Sequence, residues 1–291
     1  MPLNLDLSAS DAKIARARVH LDELERKTRR VVQDSHPYTI RHTEIDPEAG
    51  LCEVFLRPQP IAEHFLGIIV GDLIHNLRSA LDYIVTALVD KSNATLSTSH
   101  QFPIFMDKRS YNAKVGTESV ATKEGWLRGV TMGLKQVWEL QPFNSKMDPT
   151  DNPLAIISTF SNADKHRVIA EFIPLPANGS ISVTNGTVIE TEGVAESDIN
   201  STDEQFLGRF RFEAPYPAKP DIQSNIVVTM HFGTPSLGRS KVPTIIEASL
   251  LGALCDHVAM VTNLFKALVV PVAAHSTALW ILWQVYNCQS S

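Results

Sequence analysis

The chain has 291 residues, 44% of them hydrophobic and 20% charged, which suffices for a buried core without covalent staples and admits one large or two small domains. A formal net charge of −6 excludes a global attraction to phosphate, so a nucleic-acid partner would need a local basic patch. Cys52, Cys255 and Cys288 are odd in number and lack Cys-x-x-Cys spacing. That excludes a disulfide framework or a zinc site of that type and points to a reducing compartment.

The first residues show no basic stretch followed by an apolar run, so the expected location is cytoplasmic. From Ser8 or Ser10, either of which can cap a helix, the apolar set Ile14, Val19, Leu21, Leu24 and Val31 predicts a helix to about Asp34. Alternation over Tyr38–Ile45, turn chemistry at Asp46–Gly50 and a return over Leu51–Leu56 predict a β-hairpin. Pro60 then suits the opening of a helix over about 61–91.

That helix is the centre of the reading. Leu73, Leu77, Ala80, Leu81, Ile84 and Leu88 fall on one side at 100° per residue, and Asp72, His75, Asn76, Arg78, Ser79, Asp82 and Thr86 on the other. The second side holds no Lys or Glu from Asp72 to Thr86 and is extended by Phe65, Ile68 and Tyr83, so it is expected to meet protein rather than water. Its polar groups would then need partners. Three readings stay open: an ion-pair and hydrogen-bond network that registers helices, a catalytic or ligand-binding cluster, and a metal site built on Asp72-x-x-His75.

Residues 92–112 read as a loop with Phe102-Pro103-Ile104-Phe105 as apolar anchors, and a shorter helix is expected between Trp126 and Leu140, stopped at Gln141-Pro142-Phe143. Asp151-Asn152-Pro153 starts a helix that ends in Asp164-Lys165-His166-Arg167. These four ionisable residues either solvate the helix end or pair with Arg78 and Asp82. Short strands follow at 168–173, 180–184, 187–191, 206–212 and 226–232. A long apolar helix is expected over Thr244–Val270, and the tail with Leu279, Trp280 and Trp283 is expected to pack on the body or on another copy. Interruptions at Pro271 and His275 argue against a spanning helix, so no membrane partner is expected.

The fold class expected is α+β: a helix bundle around the central helix, an antiparallel β-sheet over about 168–233 and an N-terminal β-hairpin, in a single domain of residues 1–275 with an apolar tail at 276–291. No glycine-rich phosphate loop, Gly-x-Ser-x-Gly elbow or His-Glu-x-x-His occurs. Ser79, His75 and Asp72 lie on one helix with no oxyanion turn, which rejects a triad. No cofactor is implied. A homo-oligomer, or a protein partner on the tail, is expected before a nucleic acid.

The string His75-Asn76-Leu77-Arg78-Ser79-Ala80-Leu81-Asp82, with Gln141-Pro142-Phe143 and Asn162-x-Asp164-Lys165-His166-Arg167, resembles a widespread group of bacterial proteins of unknown function. The resemblance implies that the two clusters belong together. The helix is also similar to that of the HEPN superfamily, whose ribonucleases carry Arg, about four to six residues, then His on one helix. Arg78 fits, whereas Tyr83 stands where that His would be. The candidate catalytic residues are therefore His75, Arg78, Asp82, Asp164 and His166, with Asn76, Ser79, Lys165 and Arg167 as ligand-binding candidates. Asp72 and His75, joined by Asp164 or His257, are the weaker metal candidates. The functional expectation is a polar cluster that is structural or binds an anionic ligand. Its alternatives are a metal-independent ribonuclease or phosphoesterase using Arg78 with His75 or His166, and a metal-dependent hydrolase on Asp72 and His75.

Overall fold

A computed structural model describes residues 5–35, 38–58, 64–165, 170–192, 204–217, 219–234 and 244–268. The tail at 276–291 and the start of the central helix at Pro60 lie outside these residues. The described chain is α+β, with six α-helices and antiparallel sheets, as its patterning predicts. It divides into two compact units, one from residues 1–12, 80–149 and 258–291, the other from 13–79 and 150–257.

Helix α1 spans Ser8–Ser35. Its N-terminus is tied not by Ser8 or Ser10 but by Asp6, whose Oδ1 accepts the Ser8 N–H at 3.0 Å. Ser10 is buried instead, its hydroxyl 3.0 Å from that of Thr262. Strands β1 (Tyr38–His42) and β2 (Leu51–Pro58) form the expected hairpin in the register Tyr38↔Pro58. Between them Asp46 Oδ1 accepts the N–H groups of Glu48 and Ala49, and Gly50 takes φ +66°.

Helix α2 (His64–Lys91) buries Leu66, Leu73, Ile74 and Leu77 in the second unit and Leu81, Ile84, Val85 and Leu88 in the first. The expected long loop contains a short helix, α3 (Lys108–Lys114), capped by Asp107, whose side chain accepts the Ser110 N–H. The helix expected from Trp126 shrinks to α4 (Leu134–Glu139). Gly129 and Gly133 adopt φ +75° and +74°, which a continuing helix cannot hold. Helix α5 (Pro153–Lys165) begins where Asn152 Oδ1 accepts the Leu154 N–H.

The strands sort into two sheets rather than one. The hairpin joins a four-stranded sheet of order β1-β2-β5-β4, with β4 at Val188–Glu192 and β5 at Gln205–Phe212. Cys52, Val54, Leu56, Phe210 and Phe212 form its buried side. A second sheet has order β3-β6-β7, with β3 at Glu171–Val183, β6 at Ile222–Thr234 and β7 at Thr244–Glu247. The two short strands expected at 168–173 and 180–184 are one strand, β3. It carries Pro174 and Pro176, which a sheet tolerates because β3 is an edge strand with a register shift after Pro176.

The apolar run from Thr244 is not all helix. Thr244-Ile245-Ile246-Glu247 pairs with β6, and α6 follows at Ala248–Lys266. By length and composition α6 is the one helix among the described residues apolar enough to cross a membrane. It buries Leu251, Leu254 and Cys255 in the second unit and Val258, Val261 and Phe265 in the first. Arg18–Asp256 in the second unit and Asp11–Lys266 in the first, each at 2.7 Å, join it to α1.

Candidate functional site

The polar side of α2 splits into an inner and an outer set. Asn76 and Arg78 are buried, Arg78 at 8% exposure, while Asp72 and His75 are exposed and Ser79 and Asp82 half-buried. Ile68 and Tyr83 are 52% and 41% exposed. The expectation that this whole side meets protein is therefore corrected: its outer line, Ile68, Asp72, His75 and Tyr83, is open. Steps of four, three and eight residues separate them, each close to a whole number of helical turns, which keeps them along one line of the helix. Asn76 satisfies its amide by donating to the Asp72 carbonyl at 2.7 Å, and its Oδ1 accepts from Lys13 Nζ at 3.4 Å. Arg78 is engaged as well, so it is no free cation. Asp164 and Lys165 are in the last turn of α5 with side chains outside the described residues, as are His166 and Arg167 altogether.

Asp82 has a defined task. Its Oδ1 accepts the N–H of Phe102 at 2.8 Å, and its own carbonyl accepts from Thr86 Oγ1. Phe102 is fully buried, edge-on to Phe265 with centroids 6.5 Å apart. The same segment is held from its other end by Gln141, also buried. Gln141 Oε1 accepts the Phe105 N–H at 3.1 Å, while its Nε2 donates to the carbonyls of Pro103 at 2.9 Å and Val137 at 2.8 Å. Asp82 and Gln141 thus clasp Phe102–Phe105, giving backbone groups of an irregular segment the partners that burial demands. Sequence reasoning marked Asp82 for chemistry and Gln141 as a helix stop. The string carries no signal for the clasp, because the Phe102 and Phe105 amides they hold lie 20 and 36 residues away along the chain.

The clasped segment bears one ring, Phe105, of an aromatic cluster that motif searching does not detect. Phe105 lies 5.0 Å from Trp126 and 5.8 Å from Tyr111; Tyr111 lies 5.6 Å from Phe143, and Phe143 5.8 Å from Trp138. Lys108 Nζ sits 5.2 Å from the Trp138 ring centre. Tyr111 is fully buried at the middle of the row, the other four rings are half-buried, and Met106 and Met147 are exposed beside them. The Tyr111 hydroxyl has no hydrogen-bond partner among the described residues, and burial drives its pKa far above the ordinary phenol range.

Among the described residues no group of three or more His, Cys, Asp and Glu side chains could hold a metal ion. His257 Nε2 is sealed from solvent without a hydrogen-bond partner there, and desolvation lowers its pKa from 6.5 to about 4, which keeps the imidazole neutral. Cys255, two residues earlier, is a buried thiol pushed up to about 11 by desolvation. Compared with family models, curated proteins and solved structures, the chain shows no match.

Proposed function

We propose that this chain is a cytoplasmic binding protein in which the polar cluster of α2 is structural: Asp82 braces the segment that bears Phe105. The contact from Asp82 Oδ1 to the Phe102 N–H carries this reading. A carboxylate oxygen that accepts a buried backbone N–H has a structural task, and losing it leaves that donor without its acceptor. The burial of Arg78 and the exposure of His75 support the same conclusion, because the alternative nuclease or phosphoesterase needs the guanidinium to reach an anion in the cleft where the imidazole works. The metal-hydrolase alternative, on Asp72 and His75, lacks a third ligand among the described residues.

The test compares Asp82→Ala with the unmodified chain in thermal unfolding, amide hydrogen exchange and turnover of RNA and phosphoester substrates. The expected result is a lower Tm with faster exchange at the Phe102 amide, and no turnover by either protein. Turnover by the unmodified chain that Asp82→Ala abolishes at unchanged Tm would overturn the reading.

A further inference from the structure

We infer that Asn185 is a deamidation site held shut by the fold, and that its conversion to aspartate or isoaspartate frees the bend at 184–187 and the edge strand β4. Asn185-Gly186 is one of two Asn-Gly steps in the chain. Glycine has no Cβ to screen its backbone nitrogen, so this is the step at which an asparagine cyclises most readily. Glycine is also required here: Gly186 holds φ +81°, and a Cβ would stand 3.0 Å from Pro217. The bend carries the chain from β3 in one sheet to β4 in the other, and Gly186 and Thr187 are exposed to water. Turn chemistry alone accounts for an Asn-Gly pair. It does not account for the carboxamide, which grips a second segment: Nδ2 donates to the Lys219 carbonyl at 2.8 Å, and Oδ1 accepts the Asp221 N–H at 2.6 Å. Thr184 completes the clip, donating its N–H to the Asp221 carbonyl at 3.0 Å and its hydroxyl to the Asp221 carboxylate.

The chemistry needs only the chain and water. The Gly186 nitrogen loses its proton and bonds to the Asn185 Cγ; the Cγ–Nδ2 bond breaks, and Nδ2 leaves as ammonia. Water then opens the succinimide at either carbonyl, giving aspartate or isoaspartate. The departing group is the donor to Lys219, so ring closure breaks the clip, and a fold that keeps the clip closed opposes ring closure. In the product a carboxylate oxygen stands where an N–H faced the Lys219 carbonyl, and its negative charge adds to that of Asp221. Isoaspartate also lengthens the backbone by one carbon within the bend. Beyond its ladder with β5, little among the described residues holds β4. Val188 is half-buried, and Ile189, at 58%, and the three residues after it are exposed. The ion pairs Arg209–Glu192 and Arg211–Glu190 lie at the surface, where such pairs contribute little.

The experiment ages the full chain in mildly alkaline buffer, native and in urea, and follows the amide-to-acid mass gain at Asn185 by peptide mapping. In urea Asn185 should convert readily. In the native chain it should convert roughly tenfold more slowly, or slower still, the factor set by two hydrogen bonds of ordinary strength. Asn185→Asp supplies the aspartate product directly. Hydrogen exchange read by mass spectrometry should then show faster exchange of the amides of 187–192, with those of β2 unchanged. Should that variant fail to fold, the same exchange is read on the deamidated fraction of the aged chain, separated by ion exchange. The inference is overturned if Asn185 converts as fast in the native chain as in urea, if it stays an amide in urea, or if the deamidated chain exchanges at 187–192 as the unmodified chain does.

Discussion

Asp82→Ala deprives the N–H of a fully buried Phe102 of its carboxylate acceptor. A buried donor left without a partner costs about 1–3 kcal/mol, and Asp82→Asn, which keeps an acceptor oxygen, should cost less. Urea unfolding of the two variants gives the comparison. His257 has a different signature, in pH. Its imidazole takes a proton near pH 6.5 in the unfolded chain but only near pH 4 in the fold. Between those values the unfolded chain holds more protons, so stability present above pH 6.5 is lost progressively as pH falls toward 4. Denaturant midpoints at pH 7, 5.5 and 4.5 should therefore fall in that order, and His257→Gln should flatten the part of the decline that belongs to this residue. Neither role was legible in the string. Asp82 reads as a candidate acid because its acceptor task is to a backbone group twenty residues along, and His257 reads as a helix polar residue because burial of one ring nitrogen depends on tertiary packing.

At the scale of elements, Gly133 is a position where backbone and packing agree. It holds φ +74°, and a Cβ there would stand 2.9 Å from Leu88 Cδ2. Gly133→Ala should therefore destabilise by about 1–3 kcal/mol, from left-handed backbone strain alone, with crowding adding to it. Asp82 and Gln141 grip opposite ends of one four-residue segment, so their losses should not add. A double-mutant cycle of Asp82→Ala and Gln141→Ala should show a coupling of about 0.5–3 kcal/mol, whereas additivity would mean that the two contacts act alone. Helices α1 and α2 and the hairpin were legible because their periodicities persist over many residues and their turn chemistry is strong. The edges of α4 and α6 were not. Two glycines with positive φ erase the first half of the expected α4 helix, and Thr244–Glu247 reads as apolar helix until β6 offers it a strand partner. The partition of strands between two sheets was invisible for the same reason: pairing β2 with β5 joins residues far apart along the chain.

For the molecule as a whole, the α+β class follows from the order of patterns, since strand runs cluster rather than alternate with helices. Along the chain, charge is uneven: the segment from Phe105 to Met147 holds seven Lys and Arg against four Asp and Glu, although the whole carries −6.

The first compact unit draws on both ends of the chain and on its middle. Protein synthesis is vectorial, so nothing emerging early can finish that unit: Phe102 must wait for Phe265 before its ring is covered. A nascent polypeptide stalled before Val258 leaves the ribosome with the aromatic segment made and its lid still unsynthesised. Such an intermediate should be cut by protease between Ala80 and Pro149 and bound by chaperones there, and release of the last few dozen residues should close both vulnerabilities at once.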